Sequence, residues 1–321
     1  MMGERFDWFR LTLRLHRFEL FAFGVTIIAL AIGAFGAAAY IDGFRPPPEC
    51  VTIVDEVPAS CELAYRRLDE ARAIGGLVSS PLLLVTFAMG LFLGVPVIAR
   101  ELERGTVRLA WWLTPSRWRW YLARLVPVLL IVLVLTVAAG LASDRIFAAN
   151  NPQLDVSNAF DGFGARGGLL AARALFVFAV AVFVGSFIGR ALPAVIVAAL
   201  VATIGLTGGI NAHERILRGE AVVVPVDVSG IGDSGPKPGD KFIDQKFVLP
   251  DGTLVGYDYF FNANQGDAFD ENGNPKYPMV NLVIPGERYR FVEARESAVL
   301  IGGSLVALLI AGFVVARRRP G

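Results

Sequence analysis

The sequence predicts a membrane all-α fold: six transmembrane helices led by an N-terminal interfacial helix, with a small β-rich extracytoplasmic domain between helices five and six. Three observations predict it. Of the 321 residues, 55% are hydrophobic and 18% charged, and mean hydropathy is +0.55, whereas a soluble domain carries roughly 25% charged residues. The apolar residues gather into six blocks, each close to the ~20 residues of helix that cross a bilayer. The arginines between those blocks are unevenly shared between the two sides.

Residues 4–18 come first. Asp7, Arg10, Arg14 and Arg17 recur at helical spacing, while Phe6, Trp8, Phe9, Leu11, Leu13, Leu15 and Phe18 cover the rest of the circumference. A basic stripe opposite an aromatic and aliphatic face suits a helix lying in the membrane surface. The six spans follow at 20–41, 79–99, 122–141, 168–188, 191–211 and 297–316. The apolar run of the first is longer than the usual ~7–15 residues of a signal-peptide core, so it reads as a retained span. Only Gly189 and Arg190 part the fourth block from the fifth, and Pro193 opens the fifth where its missing N–H costs nothing; this predicts a tight helical hairpin. The domains are 1–18, 19–211 (with an outer loop at 42–78 and an inner loop at 100–121), 212–294, and 295–321.

Orientation follows from the arginines. Arg5, Arg10, Arg14 and Arg17, then Arg100, Arg104, Arg108, Arg117, Arg119 and Arg124, then Arg190 and Arg317–Arg319 all fall on one side. Short basic segments stay in the cytoplasm, so both termini are placed inside, which an even number of spans also requires.

Outside, the 42–78 loop holds Pro46-Pro47-Pro48 and both cysteines, Cys50 and Cys61. Thiols oxidise outside the cytoplasm, so a structural disulfide is expected. The 212–294 segment has strand-like runs at 221–228, 242–249, 253–261 and 280–284, divided by Pro250-Asp251-Gly252 and by 270–275. The acid-rich run Asp270-Glu271-Asn272-Gly273-Asn274 lacks the ligand order of a calcium loop and reads as an Asn-Gly turn. The aromatic cluster at 257–261 reads as the core of a hairpin.

Several classes are excluded or disfavoured. Two cysteines and two histidines cannot build a Cys/His zinc site, and no P-loop sequence is present. A net charge of +1 gives no reason to seek nucleic acid. Within the spans Glu19, Arg173 and Glu296 sit in end turns, and no acid, lysine or histidine lies near a bilayer centre, which counts against an ion-coupled antiporter. Ser186 has no histidine or lysine in another span to activate it as a protease nucleophile. Gly90-x-x-x-Gly94 and Gly185-x-x-x-Gly189 permit close helix packing, in the same chain or with a second copy. Thr86, Thr203, Thr207 and Asn211 could line a translocation path or bond back to their own helices.

The most informative stretch is 94–124. The second span continues as a charged turn, Arg100-Glu101-Leu102-Glu103-Arg104, with two carboxylates directed away from lipid. Gly105 ends it, Thr106 caps a short helix over 107–113, Pro115 stops that helix, and Ser116 caps the third span. Trp111, Trp112, Trp118, Trp120 and Tyr121 suit an interfacial belt.

With these residues in view, the chain resembles the permease subunits of type-2 ATP-binding-cassette (ABC) exporters, of the bacterial multidrug or antibiotic type. Arg100-Glu101-x-Glu103-x-Gly105-Thr106 matches the coupling loop of that family, and Arg108-Leu109-Ala110-Trp111 continues it. The segments 160–193 and 285–300 are similar to the approaches to spans four and six. Trp112-Leu113 replaces a Thr-Gln seen in relatives, and Gly189-Arg190 replaces paired arginines.

The resemblance implies an exporter in the bacterial cell membrane, and a path without fixed charge suggests an amphipathic or lipid-like substrate (drug, peptide antibiotic or lipid). This chain would hold no cofactor and would not itself be an enzyme. Two separate ATPase subunits would bind ATP and Mg and work with two permease copies, as homodimer or related heterodimer, among membrane lipids. Arg100, Glu101, Glu103, Arg104, Gly105, Thr106, Arg108 and Trp111 would form the coupling site, with Glu101, Glu103 and Arg104 touching the ATPase. A membrane-anchored sensor or assembly factor, binding a ligand or partner through its outer domain, is the alternative.

Overall fold

The computed structural model describes residues 10–47, 50, 58–114, 116–226, 235–262, 269 and 275–318, with 59, 60, 108, 113, 261 and 262 described by backbone alone. The turn expected at 270–274, residues 4–9 of the interfacial helix and Pro115 lie outside the described residues. The chain folds as two compact units, one of residues 1–152, 162–207 and 293–321, the other of 153–161 and 208–292.

The first unit is a helical bundle. Residues 10–15 form a short helix that turns at His16 into α1 (Arg17–Asp42). Then come α2 (Ala59–Gly94), α3 (Pro96–Glu103), α4 (Val107–Leu113), α5 (Arg117–Asn150), α6 (Gly167–Ile188), α7 (Ala191–Glu220), whose residues from 208 on belong to the second unit, and, late in the chain, α9 (Tyr289–Arg317), which belongs to the first unit from 293 on. Among the described residues, six helical stretches are long and apolar enough to cross a membrane, with α2 and α3 counted as one.

Most helices outrun their apolar blocks. The largest difference is α2, which begins 20 residues before the expected span and converts much of the 42–78 loop into helix. Its first turns are rich in Ala, Leu, Glu and Arg, all strong helix formers, and Glu62–Arg66 and Asp69–Arg72 pair at i,i+4 and i,i+3 on its surface. Cys50 and Cys61 are joined as expected, across the start of this helix, and the Tyr65 hydroxyl donates to Cys50 O at 3.0 Å.

Span four is the most enclosed. Gly90 and Gly94 of α2 lie against Ala174, Phe178 and Ala181 of α6, so close that a Cβ at Gly94 would stand 2.7 Å from Phe178 O. Gly185 of α6 approaches Val95 in return. Gly90, Gly94 and Gly185 therefore each pack within the chain, while Gly189 lies under Arg318. Gly189 ends α6 in the left-handed region at φ 70°, its N–H bonded to Gly185 O, and α7 starts two residues later.

At the end of the bundle away from this hairpin, charges that look incidental in the sequence are paired. Arg173 of α6 meets Glu296 of α9 at 2.6 Å, both nearly buried. Glu293 Oε1 accepts Leu169 N–H at the start of α6, where the first N–H groups of a helix have no partner of their own. Arg166 pairs with Asp144 at 3.1 Å, and Arg145 with Asp42 at 2.5 Å.

The second unit holds a four-stranded antiparallel sheet in the order β1-β4-β2-β3, with β1 (Val222–Pro225), β2 (Lys241–Val248), β3 (Leu254–Val255) and β4 (Met279–Ile284). A bulge at Phe242–Asp244 interrupts the β2–β4 register. The strand expected over 253–261 is corrected. Only Leu254–Val255 pairs, and α8 (Tyr257–Asn262) follows, which lets Phe260 turn edge-on to Phe247 at 5.2 Å and stack on Tyr277 at 5.4 Å. The aromatic cluster is a core, built by a helix on a sheet. Residues 153–161 join this unit as well: Phe160 N–H bonds Gly239 O at 2.8 Å and its ring packs on Tyr289.

Candidate functional site

The elbow between the second and third spans forms where the sequence places it. Pro96 opens α3, the left-handed Gly105 (φ 71°) reverses the chain, and α4 runs over the seven residues expected. Ser116 caps α5 by accepting Arg119 N–H at 3.1 Å. Thr106 does not cap α4: its hydroxyl turns back to Glu101 O at 3.4 Å and its backbone is helical.

The two carboxylates, both expected to point away from lipid, part company. Glu101 turns inward to Arg124 of α5 at 2.8 Å, with side chains 16% and 5% exposed. Burying two charges is tolerated only when they pair closely. Arg124 also donates to the Thr12 hydroxyl at 3.2 Å, and Thr12 in turn donates to Ala123 O at 3.2 Å. Arg100 reaches Glu19 of α1 at 2.5 Å. Thr12 and His16, one helical turn apart, are buried at this seam. Glu101 and Arg100 thus fasten the elbow to the N-terminal segment and to α1. Burial lowers the pKa of His16 from 6.5 to about 4, with Glu19 opposing and Arg100 and Arg124 reinforcing the shift.

Glu103 faces outward, its Oε2 accepting Ala191 N–H at the start of α7 at 3.0 Å. Arg104, Gly105 and Thr106 are exposed. The Arg108 side chain lies outside the described residues. On α4, Val107 is buried and Trp111 half-buried, edge-on to the fully buried Trp120 at 6.2 Å. Leu109 and Trp112 project outward, Trp112 with 89% of its surface exposed.

The residues expected along a path are not brought together. Thr86 is fully buried and donates to Leu82 O at 2.6 Å. Thr203, Thr207 and Asn211 are exposed on α7 at four-residue spacing, and Thr203 bonds back to Ala199 O. Among the described residues no group of acids, histidines and cysteines could hold a metal.

Sequence reasoning missed Arg124, Thr12 and Arg117. In the sequence Arg124 is only one arginine among the basic residues of the loop. Its signal is position, one turn inside an otherwise apolar span, where a charge demands a partner.

The fold defines a multi-pass membrane protein with a charged elbow after its second span. The family profile described as "ABC-2 membrane transporter related" matches residues 20–212, from α1 through the hairpin into α7. The chain belongs to that family, as a permease subunit whose partner is an ABC ATPase. No match was found among curated proteins or among solved structures.

Proposed function

We propose that the chain is the membrane half of an ATP-driven exporter, working as two permease copies with two ATPase subunits and carrying an amphipathic or lipid-like substrate out of the cytoplasm. Both termini and the elbow face the cytoplasm, and the sheet-bearing 212–294 region lies outside. ATP-induced closure of the ATPases presses on the elbow and tilts the spans from inward-open to outward-open.

The observation carrying this reading is the outward face of α4. Leu109 and Trp112 form an apolar pair at the tip of the elbow beside exposed Arg104, Gly105 and Thr106, a knob suited to a groove on a partner. Glu101 and Arg100 hold that knob in place from behind, and the docking role expected for Glu101 passes to its exposed neighbours. The test is affinity purification of the tagged chain from its native membrane in mild detergent. A stoichiometric partner with a P-loop should accompany it, and the double change Leu109→Ala, Trp112→Ala should release that partner while leaving the permease folded. Recovery of the permease without any ATPase, under conditions that preserve a known membrane complex, would reject the reading.

A further inference from the structure

The bundle end that carries the elbow also carries three helix termini whose outermost backbone groups have no partner in their own helix. Each is met by a side chain from elsewhere. Glu103, the last residue of α3, accepts Ala191 N–H at the start of α7 at 3.0 Å. Arg117, the first residue of α5, donates from Nη1 to Ala316 O at 3.0 Å and to Arg318 O at 2.7 Å, at the end of α9. Arg318 donates to Ser186 O at 2.8 Å near the end of α6, over the bare Cα of Gly189. The signs suit the helix dipoles, with an acid at an N-terminus and arginines at C-termini.

Glu103 and Arg117 stand on the two flanks of the elbow. The Arg117 guanidinium also lies 4.4 Å from the centroid of the Trp111 ring, in α4 itself. A planar guanidinium can stack by its face and donate by its edge at once, which an ammonium cannot do. One flank of the elbow is therefore tied to span five and the other to span six. Those spans are among the least enclosed, with 17% and 28% of their most apolar stretches buried against 72% for span four.

We propose that the Glu103–Ala191 and Arg117–Ala316/Arg318 ties transmit displacement of the elbow separately to spans five and six, making Glu103 and Arg117 positioning residues of the transport cycle. The inference rests on the exporter reading for the source of the displacement. Both ties lie far from the outward Leu109–Trp112 knob in role: they pull, and the knob receives.

The test is distance measurement between spin labels in the full permease–ATPase complex in lipid nanodiscs, without nucleotide and trapped with ATP and vanadate. Cys50 and Cys61 are bonded to each other, so labels go only to introduced cysteines. Leu130→Cys on α5 is paired with Leu192→Cys on α7 or with Phe313→Cys on α9, all exposed positions. In the otherwise unchanged chain trapping shifts both distances. Arg117→Gln abolishes the α9 shift and keeps that of α7, and Glu103→Ala does the reverse. Arg117→Lys, which retains charge and hydrogen bonding but not the stack on Trp111, also loses the α9 shift while its nucleotide-free distance is unchanged. If the ATPase binds and the variants shift as the parent does, or lose both shifts together, the ties are wrong and the exporter reading stands. If the parent itself neither retains an ATPase nor shifts, the reading falls and takes the ties with it.

Discussion

Spans four and five are equally apolar and only two residues apart, yet 72% of the most apolar stretch of α6 is buried and 17% of that of α7. Hydropathy decides that each is a span; it does not decide which is wrapped by protein. The difference lies in what each meets. Span four meets two glycines of α2 at backbone distance, an ion pair to α9 and a carboxylate at its N-terminus. Span five presents Leu192, Ile196, Leu200 and Ile204 outward, and Gly208 and Gly209 have nothing within reach of an added Cβ. In lipid, where there is little hydrophobic force between helices, close backbone approach and paired polar groups decide which helix is inside.

The sharpest way to break this contrast is Glu296→Ala. It leaves Arg173 nearly buried without the carboxylate it pairs with, and removing one partner of a buried pair costs about 3–5 kcal/mol; a large loss of thermal stability in detergent should follow. An unchanged melting temperature would mean that span four is not held by that pair. Gly94→Leu comes next. Its side chain would enter space occupied by Phe178 and Ala181, and overpacking costs about 1–3 kcal/mol, readable in the same melt.

His16 extends the contrast to the elbow end by way of pH. Its pKa is lowered to about 4 where it is docked and is 6.5 when free. Between those values the undocked imidazole binds a proton that the docked one refuses, so docking is at full strength above pH 6.5 and weakens as pH falls toward 4. Amide protection factors over residues 10–16, with the intrinsic exchange rate divided out, should fall as pH falls through this window, and His16→Gln should flatten that dependence. The smallest effect is Gly208→Leu, within about 0.5 kcal/mol of the parent as for other exposed sites. A marked loss would show that span five has a partner along that face.

Much of the architecture was legible in the sequence because its signals are local. The hairpin at Gly189, the elbow at Gly105, the Ser116 cap and the Cys50–Cys61 bridge each rest on residues close to one another in the chain. The start of α2 at Ala59 was misread because hydropathy sees only lipid-facing length, and the charged, helix-forming turns before it carry no apolar signal. The run at 257–261 was misread because aromatic residues favour strands in general, while here the burial of Phe260 against Phe247 decides for helix. The inward turn of Glu101 was illegible for a different reason. It depends on Arg124, 23 positions later in the numbering, and on Thr12 from the other side, a meeting that only the assembled bundle arranges.

The bridge between Cys50 and Cys61 also makes the protein its own clock. Two cysteines that must reach an oxidising compartment before they can join remain reduced for as long as the loop between spans one and two stays on the near side. On the proposed orientation, the oxidised fraction, followed by thiol alkylation in pulse-labelled cells, therefore dates the moment at which that loop crosses. A chain that stalls in insertion would betray itself as a free thiol.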